Sequence, residues 1–189
     1  PENSFRPSGN QKSGLTAGTY KLEFTTIEGF DTPVEQSVSL GGGQIKQIIY
    51  TYQAGNTAPM ISNIADQVVP VNSPATAIDF TIADAELSED SLILTKNSTN
   101  ESLIPGANLA LSGSNTDRTV TITPLPNQLG TSTISVRADD GNLMSEMTFS
   151  FTITGTALET WRFENFGTTE DAGDAADDAD PDGDGATNI

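Results

Sequence analysis

The 189-residue chain contains no cysteine and no histidine, and its eight lysines and arginines are outnumbered by 26 aspartates and glutamates. Without those two residue types there is no Ser-His-Asp or Cys-His nucleophile, no thiol redox couple and no ordinary zinc site. The net charge of −18 repels nucleic acid, because neutralising phosphates needs clustered lysine and arginine. Apolar runs stay far short of the roughly 20 residues that cross a bilayer, so no membrane insertion is expected. Chemistry based on carboxylates and on hard cations survives these exclusions.

What is present is punctuation. Seventeen glycines and ten prolines separate short segments of period-two hydrophobicity, the pattern of half-buried strands. In residues 1–55, Leu22 and Phe24 alternate with polar neighbours, as do Val38 and Leu40, and Ile48, Tyr50 and Tyr52 share a face of a third expected strand over Ile45–Tyr52. Three strands are too few to cover their own apolar faces, so this segment reads as a partial β-sandwich module. Both ends of the chain read as cut from a longer protein.

A polar stretch, Ala54-Gly55-Asn56-Thr57-Ala58-Pro59, opens a second domain at 56–155. Short apolar pieces at 61–64 and 68–71 are followed by Ile78/Phe80/Ile82, Leu92/Leu94, Leu109/Leu111 and Val120/Ile122. Ile134/Val136/Ala138 and Met147/Phe149/Phe151/Ile153 complete the series. Seven or eight strands in roughly 95 residues, with turn residues between them, predict an immunoglobulin-like sandwich. The fold class is therefore all-β, with tandem sandwiches followed by a short helix and an acidic tail.

The tail, 156–189, holds ten acidic residues against one arginine. Leu158, Trp161, Arg162 and Phe166 fall on one face of a helix ending at Gly167. Trp161 and Phe166 read as docking side chains, with a sugar-stacking platform as the alternative. Beyond Thr168 the chain lacks the apolar residues to fold by burial. Asp180-Pro181-Asp182-Gly183-Asp184-Gly185 matches D-x-D-x-D-G, the first half of an EF-hand-type calcium loop. A hard dication takes six to eight oxygens, alternate carboxylates converge as the backbone curls, and glycine at the sixth position makes the sharp turn. Asp180, Asp182 and Asp184 are then ligands one, three and five, with the Ala186 carbonyl seventh and Asn188 ninth, directly or through water. The twelfth position would fall two residues past Ile189, so weak binding is expected in this segment. Upstream, Asp171, Asp174, Asp177 and Asp178 read as a solvated charge run, with a second loop as the alternative.

Three resemblances accompany these patterns. Ala17-Gly18-Thr19-Tyr20-Lys21-Leu22-Glu23-Phe24 and Gly29-Phe30-Asp31-Thr32-Pro33 resemble the small sandwich modules related to PEGA and carboxypeptidase-regulatory domains. Asn56-Thr57-Ala58-Pro59, Ile64-Ala65-Asp66-Gln67, Asp84-Ala85-Glu86 and Ala138-Asp139-Asp140-Gly141 are similar to bacterial cadherin-like and Ig-like surface repeats. That resemblance implies calcium held by Asp84, Glu86 and Asp140. The Asp140 stretch is one residue shorter than the cadherin pattern, and the linker lacks the cadherin acidic pair. Turn chemistry at strand ends is the competing reading. The string from Trp161 through Gly167 to the aspartate loop resembles the dockerin and thrombospondin type 3 tails of bacterial exoproteins.

The expected function is a non-catalytic, calcium-binding structural or adhesion segment of a large extracellular or cell-surface bacterial protein. Its partners would be neighbouring domains and a cell-surface or polysaccharide ligand. The alternative is an accessory module of a secreted hydrolase. No enzyme is expected, because nothing in the spacing singles out a carboxylate pair about 5–9 Å apart for glycoside cleavage.

Overall fold

The computed structural model describes residues 13–188, which divide into two compact units at Gly55/Asn56. In the first unit, β1 (Gly18–Leu22) is followed by β2 (Phe30–Asp31), β3 (Gln36–Leu40) and β4 (Gln53–Ala54). β1 pairs antiparallel with β3, setting Tyr20 opposite Val38, and β2 pairs with β4. Val38 is buried, while Ile45 is fully exposed and Val34 and Ile49 nearly so.

The strand expected over Ile45–Tyr52 does not form: the backbone of 45–52 carries no regular structure. Its alternation serves a different contact. The rings of Tyr50 and Tyr52 both meet Phe24 edge-on, with centroids 4.8 and 6.4 Å away, and the Tyr52 hydroxyl donates to the Thr25 carbonyl at 2.8 Å. Alternate side chains reaching one aromatic give the same period as a strand, without a hydrogen-bonding partner for the backbone.

The second unit carries eight strands: β5 (Met60–Ile61), β6 (Gln67–Pro70), β7 (Thr76–Ala83), β8 (Ile93–Ser98), β9 (Leu109–Ser114), β10 (Asp117–Ile122), β11 (Gly130–Asp139) and β12 (Met144–Thr154). They form two four-stranded sheets, β5-β7-β10-β9 and β6-β12-β11-β8. All pairs are antiparallel except β6 with β12. One sheet is thus A-B-E-D and the other C-F-G with an added first-strand segment, the strand order of an immunoglobulin-like sandwich. β6 lies at a sheet edge and ends on Pro70, which cannot donate to a further strand.

Burial follows the two-residue period. Ser132, Ile134, Val136 and Ala138 point inward from β11, and Phe149, Phe151 and Ile153 from β12. Ile134, Val136, Phe149, Phe151 and Ile153 meet Phe80 and Ile82 of β7, Leu109 of β9, and Val120 and Ile122 of β10 in one core cluster; Leu103 and Ile104 plug it from a loop. Full burial of each large side chain contributes about 1.5–3 kcal/mol. The polar inward residue Ser132 is satisfied by the Ser98 hydroxyl at 2.8 Å and by the Asn100 amide at 3.1 Å. Arg118 replaces an apolar residue at the end of the β10 stripe, and its guanidinium donates to Asp90 Oδ1 and the Glu89 carbonyl. Gly113 sits opposite it at φ +99°, where a Cβ would lie 2.3 Å from the Asp117 carbonyl oxygen, so no other residue fits.

Helix α1 (Ala157–Phe166) starts at a reciprocal cap. Thr156 Oγ1 accepts from the Glu159 amide and Glu159 Oε2 accepts from the Thr156 amide. It stops at Gly167, in the left-handed region at φ 73°, as the sequence indicates.

Past Thr168, apolar burial is confined to small contributions such as Ala175, yet the chain is organised. Arg162, only 6% exposed, is gripped by Asp177 and by Asp171 Oδ1 at 3.2 Å. The reading of Asp171 and Asp177 as part of a solvated charge run is therefore corrected: the one cation of the segment recruits them. Asn127 ties the tail to the sandwich, donating to Glu170 and accepting from Thr169 Oγ1, while exchanging hydrogen bonds with Asn72. No described helix is long and apolar enough to cross a membrane.

Truncation of the core should separate cleanly from truncation of the surface. Phe151→Ala is expected to lower unfolding free energy by about 3–5 kcal/mol. Val68→Ala, at a side chain 68% exposed, should change it by less than about 0.5 kcal/mol. Urea denaturation of both variants checks this.

Candidate metal centre

The aspartate loop is built by its own backbone. Asp180 Oδ1 accepts from the amides of Gly183 at 2.9 Å and Asp184 at 3.1 Å, and Asp180 Oδ2 accepts from Gly185 at 2.9 Å. Asp182 Oδ1 takes the Asp184 amide and Asp184 Oδ1 takes that of Ala186. Gly183 and Gly185 hold φ of 74° and 89°, left-handed values that let the chain curl around the first carboxylate. The outcome is that one ligand atom from each of Asp180, Asp182 and Asp184 lies within 4.8 Å of the others, on exposed residues. Three like charges at that spacing repel, and a dication among them reverses the sign of the interaction. The donor set, all hard oxygen, suits calcium.

Asn188 closes the loop. Its amide nitrogen donates to the carbonyls of Asp174 at 2.9 Å and Ala176 at 2.7 Å, and its backbone amide donates to Ala179 at 3.0 Å. With both carboxamide protons directed at the preceding turn, Oδ1 is the atom this side chain can offer a cation. Ala186 is exposed beside it. Phe166 borders an open depression of about 300 Å³ together with Pro181, Asp182 and Asp184. Trp161 and Phe166 meet edge-on at 5.6 Å and 71°, so they present no shared flat platform of the kind a sugar ring stacks on.

The second set lies at the start of the sandwich. Asp84, just past β7, accepts the Glu86 and Leu87 amides on Oδ1, at 2.9 and 2.7 Å. Its Oδ2 is buried without a hydrogen-bond partner. Glu86 Oε2 accepts from the Thr57 amide at 3.0 Å and the Thr57 hydroxyl at 2.9 Å. Asp140, just past β11, accepts the Asn142 and Leu143 amides on Oδ1, both at 2.7 Å, and the Asn56 carboxamide on Oδ2 at 2.9 Å. Adjacent residues 56 and 57 thus tie Asp140 and Glu86 to the same lead-in segment. Among the described residues, the carboxylates that converge within 4.8 Å are those of the tail loop, not these three. An orphaned buried carboxylate oxygen nonetheless fits a cation here, since leaving it unpaired is costly.

Thr57 lies in the Asn56-Thr57-Ala58-Pro59 stretch, but nothing there marks it as a double donor to Glu86; Asp171 and Asp177, as partners of Arg162, carry no motif in the sequence. The signal that could have found the latter is the solitary arginine on the inner face of a helix in an otherwise anionic segment.

No family model matches the chain, and no curated protein does. Among solved structures it is similar to a chimeric titin Z1Z2 functionalised with a KLER exogenous peptide from decorin, at 15% identity and a TM-score of 0.41. That match spans 54% of this chain and 99% of the other. It is similar also to the I-band fragment I67–I69 from titin, at 9% identity and TM-score 0.42, over 53% of this chain and 34% of that one. A third is the twitchin kinase region from C. elegans, at 13% identity and TM-score 0.39, over 51% and 16%. The immunoglobulin-like assignment stands on the strand order of the two sheets themselves.

Asp140 carries a pH signature. The Leu143 amide, then the Asn56 carboxamide and the Asn142 amide, hold its carboxyl below the ordinary value of 3.8. A carboxyl depressed on folding stabilises the fold above its unfolded pKa and loses that contribution as pH falls through the lower, folded value. The stability gap between the parent protein and Asp140→Ala should therefore be full at pH 6 and shrink below about pH 3.8, as urea melts across that range will register.

Proposed function

We propose that this chain is a non-catalytic, calcium-binding structural segment of a large extracellular bacterial protein, serving reach, display or adhesion. The observation that carries the reading is the convergence of Asp180, Asp182 and Asp184 within 4.8 Å on a glycine-turned loop. An immunoglobulin-like sandwich with this loop behind it is a structural and interaction module, and calcium is the ligand its hard-oxygen donors select. Binding would neutralise the most anionic part of the chain and stiffen the tail behind the sandwich.

Asp84, Glu86 and Asp140 form the weaker site of the same reading, supported by the orphaned Asp84 oxygen. Calcium there would fix the lead-in segment at Asn56 and Thr57. An accessory role in a secreted hydrolase is the alternative; the edge-on packing of Trp161 and Phe166 gives it little to bind polysaccharide with.

Thermal unfolding in millimolar calcium, in chelator and in magnesium tests both sites. A calcium-specific rise in the sandwich transition is expected if Asp84, Glu86 and Asp140 bind. Calorimetric titration should show the Asp182→Asn, Asp184→Asn double variant losing at least about tenfold in tail affinity, because ligand charge sets calcium affinity in such loops. Equal affinity in that variant refutes the loop.

A further inference from the structure

We propose that Arg162 is a positioning residue for the calcium loop, so that docking of the tail on α1 and cation binding are thermodynamically coupled. This inference rests on the calcium reading above. The arginine projects from α1 and is the only cation among the residues from 156 onward. It touches none of the loop aspartates by any hydrogen bond or ion pair described; it grips Asp171 and Asp177. Those two are themselves joined, since Asp171 Oδ1 accepts the Asp177 amide at 2.9 Å. The turn they define, 171–179, anchors the loop at both ends. Asp180, the first ligand and the acceptor of three loop amides, follows Asp177 by three residues. Asn188, at the ninth position, is bound to the carbonyls of Asp174, Ala176 and Ala179. The loop is therefore a closed ring of backbone whose base is clamped by one buried guanidinium.

Two opposing effects follow from removing that guanidinium. Losing a positive charge makes the tail more anionic and draws calcium more strongly. Losing the clamp frees the base of the loop, so that ordering it must be supplied by the cation. The burial of Arg162, at 6% exposure, and its double carboxylate grip make the clamp the larger effect: the long-range charge is screened by salt and offset by its own partners.

Two variants of opposite charge separate the effects, measured on the full chain by calorimetric calcium titration. Arg162→Met removes a positive charge and the clamp; Asp171→Ala with Asp177→Ala removes two negative charges and the clamp. The proposal expects both to weaken calcium binding by at least about fivefold, the lower range of measured site-to-site couplings. Linkage also requires the reverse effect: calcium should slow amide exchange across 171–179 in the parent and much less in either variant. The sandwich melting transition serves as the folding control. Tighter binding by Arg162→Met with weaker binding by the aspartate pair would show charge alone and overturn the proposal. Unchanged affinity in both would overturn it while leaving the loop intact. A parent chain that binds no calcium would instead overturn the underlying reading.

Discussion

The acidic turns of this chain use carboxylate oxygens to hold the backbone. Asp84, Asp139, Asp140, Asp180, Asp182 and Asp184 each accept amides from residues two or more positions ahead. Such bonds satisfy donors that no sheet ladder reaches and fix the direction in which the side chain points. They explain how a protein with net charge −18 keeps tight acidic turns: the charge is partly neutralised by backbone dipoles. At Asp180 both oxygens are used in this way, at Asp140 the second accepts the Asn56 carboxamide, and at Asp84 the second is buried and unpaired.

The two parts of the second unit are held by different physics. The sandwich relies on apolar burial, with Phe151, Ile134, Val120 and Ile122 wholly shielded from water. Past Thr168 the tail has almost nothing apolar to bury. Its order comes from one guanidinium, the carboxamides of Asn127 and Asn188, and glycines that reach left-handed angles. Contacts of that kind are strong only when their geometry is held, and they soften when charge is screened. The tail is accordingly the part of the molecule whose stability should respond to ionic conditions, while the sandwich core should not.

The sandwich was legible because burial on one face of a strand writes a period of two into the sequence, and each expected apolar pair from Ile78 to Ile153 lies in or beside a strand. The helix was legible from its terminating glycine. The misreading at Ile45–Tyr52 has the same origin as the successes: Tyr50 and Tyr52 alternate because both reach Phe24, and period alone does not distinguish a ring contact from a sheet. Asp171 and Asp177 escaped for another reason. Their role depends on a chain reversal that brings them to Arg162 across nine and fifteen positions, and a run of acids looks the same whether it meets solvent or a buried cation. The convergence of the loop aspartates was legible since the D-x-D-x-D-G spacing and the glycine turn are both local.

The most direct test of the account is the Gly185 amide, which donates to Asp180 Oδ2 at the closure of the loop. Followed by two-dimensional NMR during a calcium titration of the full chain, its resonance should shift saturably with calcium and scarcely with equal magnesium. A shift that fails to saturate, or that magnesium reproduces, would contradict the account and leave the tail an acidic segment screened by any cation.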